Sequence, residues 1–432
     1  MKQFALIVFS CAWSALAFGQ TTNIPVFLTL SNAEQIALQY HPQIKQANYL
    51  VLAAQEAVKE ARSGFFPTVN LYADAVGVTS QGARITAGGL NNPSVYNRGA
   101  GGAQVNQLIT DFGRTANLTA SSRYQARAEG QNANVTREQV LLQVDNSYFG
   151  VLAAQSVLQV AHQTFDTRSN LLEQISTLAT NKIKSELDVS FAQVQLQQAR
   201  LLMEQASNNA DAAMATLSTA LGLSDFHEFQ LADQAPETNN INGDVSAMVQ
   251  TALSLRPELL SLRDDREAAL RFARSQRDSR LPTVEAVGVA GATPWRDEQY
   301  LKSDYFAGGV QLSVPLFAGG LYVSRQHEAE LKAQADAELL QSVENDVIRD
   351  VRIASLNLNT ALQQLETTEQ LAANAAEAFT LAQARYASGL SDIVELSDAQ
   401  LNLTSAQIAE ANARYNVLIQ QANLNYQIGT IQ

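Results

Sequence analysis

Cysteine is almost absent from this 432-residue sequence, in which Cys11 is the only one. A single thiol excludes an intrachain disulfide and a metal site made of several cysteines. Residues 1–20 combine Lys2, an apolar stretch and the small residues of Ala15-Leu16-Ala17, which is the pattern of a secretory signal peptide. We therefore predict a signal peptide at 1–20 and an exported protein without disulfides; lipidation of Cys11 is the alternative use of that thiol.

Basic residues and long apolar runs are scarce. The 29 lysines and arginines are outnumbered by 42 aspartates and glutamates, which gives a net charge of −13. This balance argues against nucleic acid or an anionic lipid surface as a partner. Beyond residue 20, no segment approaches the roughly 18 consecutive apolar residues of a membrane-spanning helix. A membrane-crossing protein of this sequence must therefore cross with strands.

Motifs for catalysis and cofactor binding are also missing. The four histidines are scattered, and no His-x-x-x-His, Gly-x-Ser-x-Gly or phosphate-binding Gly-Lys-Ser/Thr motif occurs. An exported enzyme is the main rival class, and these absences argue against it. We predict that the protein is not an enzyme and that it has no cofactor and no metal site.

The sequence contains an internal repeat. Pro67-Thr68-Val69 recurs 215 residues later as Pro282-Thr283-Val284, whereas Leu221-Gly222 recurs 207 residues later as Ile428-Gly429. The two offsets differ by eight residues, so the second copy is shorter by eight residues in one loop after its Pro-Thr-Val motif. We therefore predict two structural repeats, at 21–243 and 244–432.

Each repeat starts with one predicted helix, at 31–63 and at 245–280, followed by two segments in which apolar and polar residues alternate. Each alternating segment has about 9 to 11 residues, enough for a tilted strand to cross a bilayer. Two soluble hairpins on a helical scaffold are the alternative. We place the four strands at about 66–78, 99–110, 282–293 and 306–316, with hairpin loops at 79–98 and 294–305.

Very long helices follow the strands. A helix of roughly 65 residues is a rod about 100 Å long. Ala192, Ala199 and Ala206 are seven residues apart within a longer row of small and apolar residues, which indicates a coiled-coil seam with close helix approach. We predict one antiparallel hairpin per repeat, with helices at about 115–180 and 184–221 and at about 321–387 and 391–428.

The predicted fold class is mainly α with membrane β. Four strands are too few to close a barrel, and unpaired edges are not tolerated in lipid, so the chain must oligomerise. Three copies give twelve strands with a passage for solutes, whereas eight strands enclose only side chains. A secreted coiled-coil structural or adaptor protein is the second rival, but such a rod needs no strand hairpins.

Several motifs occur in order along both repeats: Pro-Thr-Val after a helix, Asp111-Phe112-Gly113 and Pro315-Leu316-Phe317 after strands, and Tyr386-x-x-Gly389 before Asp398-Ala399. Together they resemble the TolC-type outer-membrane factor family over nearly all of the mature chain. The resemblance implies a homotrimer with a twelve-stranded barrel in the outer membrane and a helical barrel in the periplasm. It also implies a periplasmic adaptor and an inner-membrane pump of the RND or ABC type as partners.

The resemblance also implies an iris-like gate at the far tips of the helical hairpins. The family's carboxylate rings correspond to Glu395 and Asp398, and its latch corresponds to Tyr386 and Asp188. An arginine that supports the latch in some members is replaced by Ser391, so we expect a closed state that is held less firmly. Drug efflux and type I protein secretion both fit this architecture, and the substrate stays open.

Overall fold

A computed structural model describes residues 27–77, 79, 97–233, 244–296 and 302–431. The predicted signal peptide at 1–20 lies outside these residues, as do most of the loop at 79–98 and the middle of the loop at 294–305. The described chain is mainly helical, as predicted. None of its described helices combines the length and apolar character needed to span a membrane.

Both repeats contain two helices, two strands and two long helices in the same order, and the first repeat has an additional short strand at each end. A short parallel pairing of β1 (Phe27–Leu28) with β4 (Gln230–Leu231) joins the beginning of the first repeat to its end. The first repeat contains β1 (Phe27–Leu28), α1 (Leu30–Tyr40), α2 (Pro42–Ser63), β2 (Thr68–Val76), β3 (Arg98–Thr110), α3 (Arg114–Thr180), α4 (Glu186–Ala220) and β4 (Gln230–Leu231). The second contains α5 (Val245–Leu255), α6 (Pro257–Asp278), β5 (Thr283–Arg296), β6 (Asp304–Ser313), α7 (Leu321–Ala387) and α8 (Ile393–Ile428).

The helical sequence that opens each repeat is divided in two, and the expectation of a single helix at 31–63 and at 245–280 is wrong. His41 and Arg256 have extended backbone, with ψ of 125° and 121°, and Pro42 and Pro257 begin the next helix. Proline disfavours a helical conformation in the residue before it and has no N–H to continue the ladder. It is well tolerated as the first residue of a helix, so the chain turns at each proline.

The four longer strands form one antiparallel sheet in the order β2-β3-β5-β6. The hairpins β2/β3 and β5/β6 each come from one repeat, and pairing of β3 with β5 joins the repeats. In the described chain β2 and β6 are therefore the edges of the sheet.

The register gives the two faces of this sheet different chemistry. Leu71, Ala103, Ala290 and Phe306 lie directly opposite one another across the four strands. The side chains of Leu71 and Phe306, at the two edges, are more than 80 % exposed. The same face carries Val69, Val105, Val310 and Leu312, with Gln107 as a polar exception. The other face carries the polar side chains of Asn70, Tyr72, Gln104, Asn106, Glu285 and Gln311, together with Leu108, Val287 and Val289.

A row of two tyrosines and two glycines crosses the polar face. Tyr72, Gly102, Gly291 and Tyr305 are cross-strand partners on β2, β3, β5 and β6, and the two tyrosine hydroxyls hydrogen-bond to each other. A Cβ atom at Gly102 would lie 2.9 Å from the Tyr72 hydroxyl and 2.8 Å from the Tyr305 hydroxyl. Only glycine leaves room for the rings of the edge strands to meet over the two central strands. We call this row the tyrosine clasp.

The long helices pack side by side, with α3 in contact with helices of both repeats. Its half next to the sheet lies between α2 and α6, and its other half lies between α4 and α8. Along α4 the buried residues include Ala192, Ala199 and Ala206, and the helix packs mainly on α3. These alanines form the close-packed side of the first hairpin.

Candidate functional site at the helical tips

Both helical hairpins turn at the same end of the molecule. The first turn lies between Thr180 and Glu186, and the second between Ala387 and Ile393. An apolar cluster just inside the turns joins the hairpins. It comprises Ile175 of α3, Ala192 of α4, Ala382 and Tyr386 of α7, and Ile393 and Leu396 of α8. The sequence-predicted site residues are thus brought to one region, which we call the tip.

Asp188 stabilises the start of α4. Its backbone N–H donates to the Ser185 hydroxyl at 3.1 Å, and its carboxylate accepts from the backbone N–H and hydroxyl of Ser185 at 3.1 and 3.0 Å. This reciprocal arrangement is a capping box, which satisfies amides that the first turn of a helix leaves unpaired. The carboxylate of Asp188 is therefore engaged within its own hairpin.

Tyr386 is buried at the junction of the two hairpins, with 8 % of its surface exposed. Its hydroxyl is buried and has no hydrogen-bond partner among the described residues, so no bond to Asp188 is formed in this conformation. Burial raises the pKa of Tyr386, and the nearby negative charge of Asp188 raises it further. The ammonium of Lys184 lies 4.0 Å from the centre of the tyrosine ring, a cation–π contact from the first hairpin to the second.

The two predicted gate carboxylates have different surroundings. The Arg385 guanidinium forms an ion pair with Glu395, Nε to Oε1 at 2.9 Å, across the turn between α7 and α8. The backbone N–H of Glu395 donates to Asp392, the N-cap of α8, at 2.9 Å. Asp398 is exposed one turn further along α8, and within the described chain it has no ion-pair partner.

Arg168 is a tip residue that the sequence does not single out. It is 4 % exposed on α3, and its guanidinium donates to the hydroxyl and the carbonyl oxygen of Ser397 on α8, at 3.4 and 3.3 Å. Burial lowers its pKa to about 10. Its spacing is a signal that could have found it, because Arg168 lies seven residues from Ala161 and from Ile175, which are both buried.

Ser391, which the sequence analysis predicts to replace a latch arginine, has a buried hydroxyl with no hydrogen-bond partner in the described chain. Two cationic side chains of the first hairpin nevertheless contact the second hairpin. Lys184 lies over the ring of Tyr386, and Arg168 hydrogen-bonds to Ser397. The structure therefore brings the four predicted site residues together, but it joins the hairpins by contacts other than a Tyr386–Asp188 bond.

Comparison with known proteins gives a consistent result over both repeats. The family described as outer membrane efflux protein matches residues 34–223 and 248–430. The outer membrane protein TolC of Salmonella enteritidis is 26 % identical over 432 residues, covering 94 % of this chain and 84 % of the relative. The alkaline protease secretion protein AprF of Pseudomonas aeruginosa is 23 % identical, covering 72 % of this chain and 67 % of the relative.

The fold is also found among solved structures. The outer membrane protein VceC from Vibrio cholerae superposes with a TM-score of 0.78 at 17 % identity, covering 93 % of this chain and 96 % of that one. These relatives are outer-membrane and secretion proteins, and none is named as an enzyme. The resemblance and the outer-membrane location predicted from the sequence are confirmed. On the match across both of its repeats, the chain belongs to the outer membrane efflux protein family.

Proposed function

We propose that this protein is one protomer of a homotrimeric channel that conducts substrates through the outer membrane, from a periplasmic adaptor and an inner-membrane pump to the exterior. The observation that carries the proposal is the four-stranded sheet. It has one exposed apolar face, one face with polar side chains, and two unpaired edges in the described chain.

The sheet favours assembly in a membrane. Lipid cannot satisfy the backbone groups of an open edge, so β2 of one protomer must pair with β6 of another. Three protomers give twelve strands, and closing the sheet with its apolar face outward would expose the polar residues and the tyrosine clasp to the lumen. The alternative, an exported coiled-coil rod or adaptor protein, gives no reason for Leu71 and Phe306 to project from a sheet.

The helices favour the same assembly. Leu187, Val194 and Leu201 form a row on α4 with seven-residue spacing and exposures of 65, 54 and 55 %. This row is offset by two residues, or about 200° of helix rotation, from the buried alanines of the same helix. It therefore presents a second apolar seam on the side away from α3, which suits a helix of a neighbouring protomer.

The transported substrate is proposed only as a class. AprF is named for protease secretion, and the family is named for efflux. Both activities require a passage that an adaptor connects to a pump, of the RND type for efflux or the ABC type for type I secretion. We propose export of one of these kinds.

The gate of the proposed channel lies at the tip. Three copies of Glu395 and Asp398 around the axis would form a carboxylate constriction that favours cations. The hydroxyl of Tyr386 lacks a partner in the described chain, and the capping box occupies only Oδ2 of Asp188, so a latch would form when the tyrosine hydroxyl comes within reach of Oδ1. Adaptor binding would then shift a two-state equilibrium between closed and open tips.

Conductance in planar bilayers tests this proposal. We expect the wild type to show a small cation-selective conductance that divalent cations block, and we expect Glu395→Ala with Asp398→Ala to relieve the block. The matched control is Glu366→Ala with Glu369→Ala, two exposed carboxylates with the same spacing in the middle of α7. Absence of conductance from every variant, with recovery of the protein in the soluble periplasmic fraction, would favour the rod instead.

A further inference from the structure

We infer that Arg385 sets the ion selectivity of the tip by neutralising Glu395, so that Asp398 provides the unpaired charge of the gate. This inference rests on the proposed channel and on the placement of its gate at the tip. It assigns a selectivity role to Arg385, a residue outside both the carboxylate pair and the latch.

The five acidic residues of the tip are not equivalent. Asp188 is bound in the capping box of α4, and Asp392 caps α8 by accepting from the Glu395 backbone. Glu395 is paired with Arg385 at 2.9 Å. Glu186 and Asp398 have no ion-pair partner among the described residues. Of the two carboxylates that share one face of α8, one is therefore compensated and the other is not.

The position of Arg385 suits this role. It lies in the last turn of α7, and Glu395 lies in the first turn of α8, so each charge is at the helix end whose dipole favours it. A second guanidinium nitrogen lies 3.5 Å from the carbonyl oxygen of Leu390, inside the turn. The arginine is therefore held at the turn and points toward Glu395 across it.

The Arg385–Glu395 ion pair affects the electrostatic field of the proposed pore more than it affects the stability of the fold. The Arg385 and Glu395 side chains are 54 and 45 % exposed, and exposed ion pairs contribute little to folding. The positive charge of Arg385 nevertheless cancels the negative charge of Glu395 at the place where ions would pass. Glu395 and Asp398 contribute −2 per protomer, and Arg385 brings this to −1. Three copies then carry −3 instead of −6, which weakens cation preference at the constriction.

Reversal potentials in a potassium chloride gradient test the inference in the full-length, bilayer-inserted protein. Arg385→Gln should shift the reversal potential toward the potassium equilibrium potential, because it leaves Glu395 unpaired. Glu395→Gln should shift it the opposite way, and the double variant should return it close to the wild-type value. Arg352→Gln is the control, because it removes an exposed arginine of α7 far from the tip.

The outcomes distinguish failure of the Arg385 inference from failure of the proposed gate and from failure of the proposed channel. If Asp398→Asn lowers cation selectivity while Arg385→Gln changes nothing, the inference is wrong and the gate stands. If Asp398→Asn and Arg385→Gln both leave the reversal potential unchanged in a conducting protein, the tip is not the selective constriction, and both gate and inference fall. Absence of conductance in the wild-type protein would overturn the proposed channel itself. Unchanged thermal midpoints in the variants would show that the shifts do not arise from loss of folding.

Discussion

Gly222 should be among the least replaceable residues of the chain. It follows the end of α4 with φ +77°, a left-handed conformation. A Cβ atom there would lie 2.5 Å from Cα and 2.9 Å from the backbone nitrogen of His41, in the extended residue between α1 and α2. Its counterpart in the second repeat, Gly429, has φ +78° and faces Arg256 at the α5–α6 break, where a Cβ would be 3.2 Å from the backbone nitrogen.

Comparison of Gly222 and Gly429 with Gly389 separates two contributions to destabilisation, left-handed backbone strain and steric overlap. Gly389 has φ +73°, and a methyl group added there would meet no atom within 4 Å among the described residues. Alanine at Gly389 therefore brings only the left-handed strain of about 1 to 2 kcal/mol. At Gly222 the neighbour is backbone fixed by Pro42, so overpacking adds about 1 to 3 kcal/mol. We expect Gly222→Ala to cost about 2 to 5 kcal/mol in total, and Gly429→Ala to cost an amount between those of Gly389→Ala and Gly222→Ala.

Thermal unfolding of the detergent-purified protein, followed by far-ultraviolet circular dichroism, measures this order. We expect the midpoint to fall most for Gly222→Ala, less for Gly429→Ala and least for Gly389→Ala. Gly150→Ala, at a helical position with open space, should leave the midpoint unchanged or raise it slightly. Equal shifts at the three left-handed positions would refute the close approach of Gly222 to His41.

Two further predictions concern the sheet and the helical wall. Gly291→Ala places a methyl group against the hydroxyl of Tyr305 and should break the tyrosine clasp, whereas Gly309→Ala, with open space on the same face, should not. Heat-modifiable migration on gels should then show dissociation at a lower temperature for Gly291→Ala alone, and equal behaviour of the two variants would contradict the role of the clasp. Burial, together with the charge and hydrogen bond of the neighbouring Glu34, raises the pKa of Asp145 to about 7. The folded protein then keeps a proton that the unfolded chain loses above its ordinary pKa near 3.8, so stability falls as pH rises toward 7, by at most about 1.4 kcal/mol per pH unit. Asp145→Asn should flatten this dependence in thermal midpoints measured between pH about 5 and 8, although Glu138, whose pKa burial also raises to about 7, keeps part of it. An unchanged slope in Asp145→Asn would show that this carboxyl does not titrate in the window.

The long helices and the strands follow from local patterns. The helix expected at 321–387 occupies Leu321–Ala387, because a run without proline favours helix whatever it packs against. The strand expected at 306–316 occupies Asp304–Ser313, because alternation survives in a sheet with one apolar face. The helix breaks were predictable in principle, since Pro42 and Pro257 each force the preceding residue out of the helix.

The tip was only partly predictable. The resemblance assigned Glu395, Asp398, Tyr386 and Asp188, and these residues do come together at one end. Their partners could not be assigned, because Asp188 can cap a helix or bind a tyrosine, and sequence spacing permits both. Arg385 is ten residues from Glu395, and only the turn between α7 and α8 brings them within 2.9 Å.

The sequence by itself determined the duplication, the lengths of the four long helices and the alternating faces of the strands, because each depends on neighbours within a few residues or on a repeated pattern. Only the tertiary structure decided which hairpins meet. Pairing of β3 with β5 and packing of α3 on α8 join segments from different repeats, which lie far apart in the chain. Such contacts depend on the shapes and charges of both surfaces at once. They place Tyr72 against Tyr305 and Arg168 against Ser397, which no spacing along the chain specifies.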